Sequence, residues 1–282
     1  MAAFKVTTEV SKPVYGVESE ASTPSLPGAY GGRLSDALCL GTRLCPRTDR
    51  FQEAIARVTG ELKTKPYSSE PKWIQFHNLY TFYTVWMFSI ATGVRKIITP
   101  YVDPRDVSTI NGVALLRDKD SDSGAKAKLI WIPEVIMKQM EHYADHLKVM
   151  RDRFQIENVE LPCFFLSDEI KVQLVRPKSM FPYVSRYLPG FPVDIHRRFI
   201  FNCLLDAGCP SEIVRVWMGH AVAGEEWWAP DATFSHAEYR SHLRRYLVPI
   251  LEYLCLNPIK GMGYLLNRRE TVHGWQQHPL GN

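Results

Sequence analysis

The stretch Trp73–Ala91, WIQFHNLYTFYTVWMFSIA, limits this chain more than any other. Its large apolar residues fall on most faces of a helical wheel and form no single stripe. Such a helix has no face suited to water, so it must be buried on several sides by the rest of the chain. The uncharged apolar run inside it, around Val85–Ala91, is far too short to span a bilayer. With 282 residues, 45% of them apolar, the chain can bury one large core or two modest ones.

Punctuation divides the remainder. Ser22–Gly32 holds two prolines and three glycines and reads as loop. Arg50–Leu62 reads as an amphipathic helix, with Phe51, Ala54, Ile55 and Val58 at helical spacing. Gly93 ends the long helix, as a glycine just past a helix commonly does. Val113–Leu116 and Leu129–Ile132 then bracket a polar stretch, predicting a β-hairpin with a long tip. Pro133 closes its second strand, and a helix follows over Glu134–Phe154. A proline-rich stretch (Pro177, Pro182, Pro189, Pro192) reads as irregular. Helices resume over Asp194–Ala207, over Ser211–Met218 with Ser211 as N-cap, and over Phe234–Leu256. The expected fold class is α+β, mostly helical with a small antiparallel sheet.

Charge and cysteine usage narrow the partners only slightly. A net charge of +4 suits a polyanion without requiring one. The first twenty residues carry Lys5, Glu9, Lys12, Glu18 and Glu20, which leaves no signal-peptide core. The six cysteines are scattered without a CxxC pair and fit free thiols in a reducing compartment. Histidines and cysteines do not converge at ligand spacing, so no metal site is expected.

Taken singly, the polar residues are ordinary: Arg95 complements the dipole at a helix C-terminus, and Tyr239 suits a half-buried position. Their order and spacing are not ordinary. ATGVRK (Ala91–Lys96) ends the long helix. In RRFIFNCLLDAGCPSEIVRVWMGHA (Arg197–Ala221), Gly208 follows Arg197 by eleven residues, and Gly219-His220 follows after another eleven. ATGVRK resembles the first arginine box of the tyrosine recombinases, the phage-integrase family. Arg197, Gly208 and Gly219-His220 resemble that family's second and third boxes. Arg117-Asp118-Lys119-Asp120 lies where the family carries a lysine on a hairpin turn, and HAEYRSH (His236–His242) resembles its tyrosine segment. The resemblance covers roughly Trp73 to Tyr253.

Two departures stand out. The family has a histidine or lysine three residues before the second-box arginine, where this chain has Asp194, an anion that repels phosphate. Another group must then supply the donor, or cleavage is impaired. His196 is close in sequence but, one residue before Arg197, reads onto another helix face. The family's tyrosine also follows its Gly-His by about nine residues. Position 229 is Ala229 and no tyrosine occurs before Tyr239, which implies an insertion over Ala223–Phe234.

The resemblance implies a catalytic domain with a three-stranded antiparallel sheet over residues 71–260. An N-terminal extension (1–70) would be a reduced or truncated DNA-clamping region, and 261–282 a tail. It implies site-specific DNA recombination through a covalent 3′-phosphotyrosine, with Tyr239 as nucleophile and Tyr246 as competitor. Arg95 and Arg197 would clamp the phosphate, since planar bidentate donors suit charge building on paired oxygens. Lys119 would protonate the leaving 5′-oxygen, with Lys126 and Lys128 as alternatives or DNA contacts. His220 would contact the phosphate or take the tyrosine's proton. Arg198 would be a phosphate or structural contact, while Arg240, Arg244 and Arg245 are candidate DNA-backbone contacts or simply a solvated face. Trp227 and Trp228 would stack on a base or pack against a protein surface. The covalent link conserves bond energy, so the resemblance implies neither nucleotide cofactor nor metal. It implies double-stranded DNA as partner, a homotetramer on paired sites, and a cytoplasmic or nuclear location. Two alternatives stay open: a DNA-binding recombinase paralogue with impaired cleavage, and a type IB topoisomerase-like enzyme.

Overall fold

A computed structural model describes residues 45–64, 69–95, 101–117, 127–157, 159–219 and 235–262. These form seven α-helices: α1 (Thr48–Thr64), α2 (Glu70–Thr92), α3 (Glu134–Phe154), α4 (Pro177–Tyr187), α5 (Ile195–Asp206), α6 (Ser211–Trp217) and α7 (His236–Tyr253). The strands are β1 (Val107–Ser108), β2 (Val113–Arg117), β3 (Ala127–Trp131), β4 (Phe164–Leu166) and β5 (Val172–Leu174). β1, β2 and β3 make an antiparallel three-stranded sheet in that order, and β4 and β5 a separate antiparallel pair. The fold is therefore α+β and mostly helical, with the expected small sheet. No helix among the described residues is long and apolar enough to cross a membrane.

The long apolar helix α2 lies at the centre. Every residue from Leu79 to Thr92 is buried, because α1, α3, α4, α5 and strand β4 all pack against it. That wrapping explains a sequence apolar on nearly every face. Helix α1 joins this same core. Its Phe51 stacks on Phe199 of α5, centroids 4.3 Å apart, and tilts against Trp86 of α2 at 5.4 Å.

Two buried histidines inside are fully paired. The Met262 N–H donates to His146 Nδ1 at 3.2 Å, so His146 carries its proton on Nε2 and donates to His77 Nδ1 at 3.0 Å. His77 Nε2–H then donates to the Phe164 carbonyl at 3.0 Å. Each neutral ring thus has one donor and one acceptor satisfied. The segment after α7 returns along α2 and α3, sewn down by its backbone. Tyr83 Oη donates to Asn257 O at 2.6 Å, Tyr80 Oη donates to Ile259 O at 2.5 Å, and Ile259 N–H donates to Gln139 Oε1 at 2.7 Å.

Two expectations are corrected here. The proline-rich stretch is not irregular throughout: Pro177 opens α4 within its first turn, where a missing N–H costs nothing, and Pro182 sits inside the helix. Ser211 is the first residue of α6 and not its N-cap, the position that Pro210 occupies. The Val172–Leu174 strand pairing with β4 has no counterpart in the sequence reading either, being only three residues long.

Candidate active site

The site is built where α2 ends. Gly93 caps that helix in the left-handed conformation, φ 59° and ψ 30°, which turns the chain so that Val94 and Arg95 leave the helix axis. A second demand falls on the same residue. A β-carbon at Gly93 would lie 2.7 Å from the Trp217 ring, so the position requires glycine for both conformation and space. Trp217 Nε1 donates to the Ala91 carbonyl at 3.0 Å, satisfying one of the carbonyls a helix end leaves without a partner.

Arg197 supplies the other tie. It projects from the first turn of α5, only 7% exposed. Its Nη1 donates to the Gly93 carbonyl and its Nη2 to the Met218 carbonyl. One guanidinium therefore joins the segment before Arg95 to the segment before Gly219-His220, and with both terminal nitrogens engaged on backbone Arg197 is a structural tie here, not the phosphate clamp that the resemblance implied. Those two segments are more than a hundred residues apart in sequence, and the planar fork of arginine spans both acceptors at once. Gly219 ends α6 with φ 65°. His220 itself, with Lys119 and Lys126, lies outside the described residues, as does Ala223–Phe234 with its two tryptophans. Lys128 is on β3 with its backbone paired to Leu116, and its side chain lies outside the description.

Arg95 is half-buried and lines a small pocket together with Trp86 and Ser89 of α2, Met180 of α4, and His196. Its Nε is buried with no hydrogen-bond partner among the described residues. Asp194 is the N-cap residue of α5 and its carboxylate makes no cap hydrogen bond. His196 is buried, 5% exposed. Burial pulls its pKa down to about 4, opposed by the negative charge of Asp194, so the ring is neutral at pH 7.

Tyr239 sits near the start of α7, whose N-terminus Ser235 caps by accepting the Glu238 N–H at 3.2 Å. Tyr239 is 2% exposed and heads a buried stripe with Leu243, Leu247 and Leu251. Burial raises its phenol pKa well above the usual range, and neighbouring Cys209 adds to the shift. Tyr246 is half-buried, its ring parallel to that of His242 at 6.2 Å with the Arg245 guanidinium 5.4 Å above it. The buried stripe runs through Tyr239 and not Tyr246, because residues 239, 243, 247 and 251 repeat at four-residue spacing on the inward face.

The basic candidates point outward. Arg244, Arg245 and Arg198 are exposed. Arg240 is half-buried, and its Nη1 approaches Asn111 Oδ1 at 3.5 Å, which sets the start of α7 beside the β1–β2 turn. The structure thus brings Arg95, Arg197, Met218-Gly219 and α7 into one body, with Arg198 on the opposite side of its helix from the core. Sequence reasoning missed two members of this group. Trp217 carried one available signal, an aromatic two residues before the glycine of the third box. His196 was set aside on helix geometry alone, without the pocket it shares with Arg95. Comparison with protein-family models and with curated proteins finds no match to the chain.

Proposed function

We propose that this protein breaks and rejoins DNA through a covalent phosphotyrosine, as a tyrosine-recombinase-type enzyme acting on double-stranded DNA. The observation that supports this most is the Arg197 fork between Gly93 and Met218. Three segments picked out by a spacing pattern meet through one side chain, which a chance spacing would not require. In the proposed reaction the tyrosine Oη attacks phosphorus as its proton passes to His220, and the bond to the 5′-oxygen breaks. The 5′-oxygen leaves with a proton, and a 5′-hydroxyl later reverses the step to reseal a strand. Arg95 contacts a phosphate oxygen, while Lys119 is the proposed proton donor and His220 the proposed acceptor of the tyrosine's proton. A homotetramer on paired sites and a location with the DNA belong to the same proposal.

One observation favours a second reading, a DNA-binding protein with impaired cleavage. Tyr239 is almost fully buried and its phenol is hard to ionise, so attack requires α7 to shift its first turn toward the DNA. A nicked duplex whose cleaved fragment diffuses away separates the two. The enzyme reading expects a protein–DNA adduct on a denaturing gel, lost on mutation of the nucleophile. Binding without any adduct supports the impaired reading.

A further inference from the structure

His77, His146 and His196 are all buried, yet they differ in one respect. The first two have every ring nitrogen paired. Neither nitrogen of His196 has a hydrogen-bond partner among the described residues. The carbonyls of Val94 and Val193 lie close enough to its ring to favour its protonated form, but neither meets strict hydrogen-bond geometry. A buried imidazole left in this condition costs stability, and an apolar side chain of similar size would avoid the cost. Local rules are broken in this way chiefly at functional sites.

What it can do follows from its neighbour. The pocket lined by His196 and Arg95 has about 20 Å³ of room, close to the space of a single water. Arg95, which lines it, has a buried Nε–H with no acceptor among the described residues. A neutral imidazole has one N–H and one acceptor nitrogen. If its N–H serves the Val94 or Val193 carbonyl, the other nitrogen is an acceptor on a ring that lines the same pocket as Arg95. The two groups are chemically complementary and line one pocket.

We propose that His196 is a positioning residue for Arg95: its unprotonated ring nitrogen accepts the Arg95 Nε–H when the guanidinium turns onto a phosphate. The bond fixes the plane of the guanidinium, so that its two terminal nitrogens meet paired phosphate oxygens side by side. His196 thereby offsets the phosphate donor that Asp194 does not provide, acting through Arg95 without touching the DNA. This assignment rests on the reading of Arg95 as a phosphate contact.

The test uses the full chain and a pool of random-sequence duplexes carrying 5′-bridging phosphorothiolate linkages, whose thiol leaves without a general acid. Affinity, adduct yield and Tm are measured for His196→Leu, His196→Gln, Arg95→Ala and the Arg95→Ala/His196→Leu pair. His196→Leu lowers affinity and adduct yield about tenfold, the scale of a hydrogen bond to a charged group, while Tm stays level or rises. His196→Gln, which keeps an acceptor, stays within about threefold by the same reasoning. In the Arg95→Ala background, His196→Leu costs nothing further. The proposal is overturned if His196→Leu leaves affinity intact. It is equally overturned if the loss comes with a fall in Tm and no rescue by Gln, or adds in full to Arg95→Ala. If Arg95→Ala alone is silent, the phosphate role of Arg95 fails first and this assignment falls with it, a result distinct from the others.

Discussion

The ring of Trp217 lies against Gly93 so closely that a β-carbon at Gly93 would come within 2.7 Å of it. Helix α6 thus sets the direction in which the chain leaves α2, and with it the placement of Arg95. Gly93→Ala therefore faces a positive φ and a clash with a buried indole together. It is expected to cost more than about 2 kcal/mol, above the usual penalty for a left-handed position alone. Gly208→Ala is the control: its φ is 80° but nothing lies within 4 Å of the added carbon. Urea unfolding of the two variants should show Gly93→Ala as clearly the worse, and equal losses would mean that Trp217 yields freely.

Arg197→Lys tests the fork. A lysine ammonium keeps the charge but cannot reach the Gly93 and Met218 carbonyls in one plane. One buried carbonyl is left without its donor, at about 2–3 kcal/mol by the cost of losing bonds to a charged group. Denaturant midpoints check the stability, and DNA affinity should fall with it.

Acid should unfold this protein early. Burial holds His77 near a pKa of about 3 and His196 near about 4, and it also lowers His146 well below the usual histidine range, with help from His77. Each is neutral in the fold, while the unfolded histidine takes up a proton near pH 6.5. The unfolded state therefore binds more protons as pH falls below that value. Stability present above pH 6.5 is lost on the way down, by up to ~1.4 kcal/mol per pH unit for each group. Unfolding midpoints from pH 7 to pH 4 should fall less steeply in a His77→Gln/His146→Gln variant. An unchanged slope would show that carboxylates, not these rings, set the acid limit.

The exposed arginines of α7 predict a salt dependence. If Arg244 and Arg245 neutralise DNA phosphates, each alanine variant should reduce the slope of log affinity against log salt by about 1. A solvated face with no DNA contact would leave the slope as it is.

The core was legible because its signal is strong and local. Nineteen residues apolar on nearly every face can only be a buried helix, and Glu134–Phe154 carried its periodicity from end to end. Helix α4 was not legible, since four prolines in sixteen residues mask the spacing of Met180, Val184 and Tyr187. At the site, spacing singled out Arg197 but not its partners, because both acceptors are backbone carbonyls and any sequence supplies those. The role of His196 was hidden for a related reason. A helical wheel places a side chain relative to its own helix, whereas the pocket belongs to α2 and α4 as much as to α5. Tyr239 is where sequence pattern and burial pull apart: the local motif favours it, and the same four-residue periodicity seats it in the core.

The most direct measurement is to digest the protein–DNA adduct formed on the phosphorothiolate duplexes and identify the nucleotide-bearing peptide by mass spectrometry. The account predicts an α7 peptide with the nucleotide on Tyr239, and no adduct from Tyr239→Phe. Modification at Tyr246 would move the nucleophile one face around the helix. An absence of any tyrosine-linked nucleotide, under conditions where the protein binds the duplex, would contradict the catalytic claim outright.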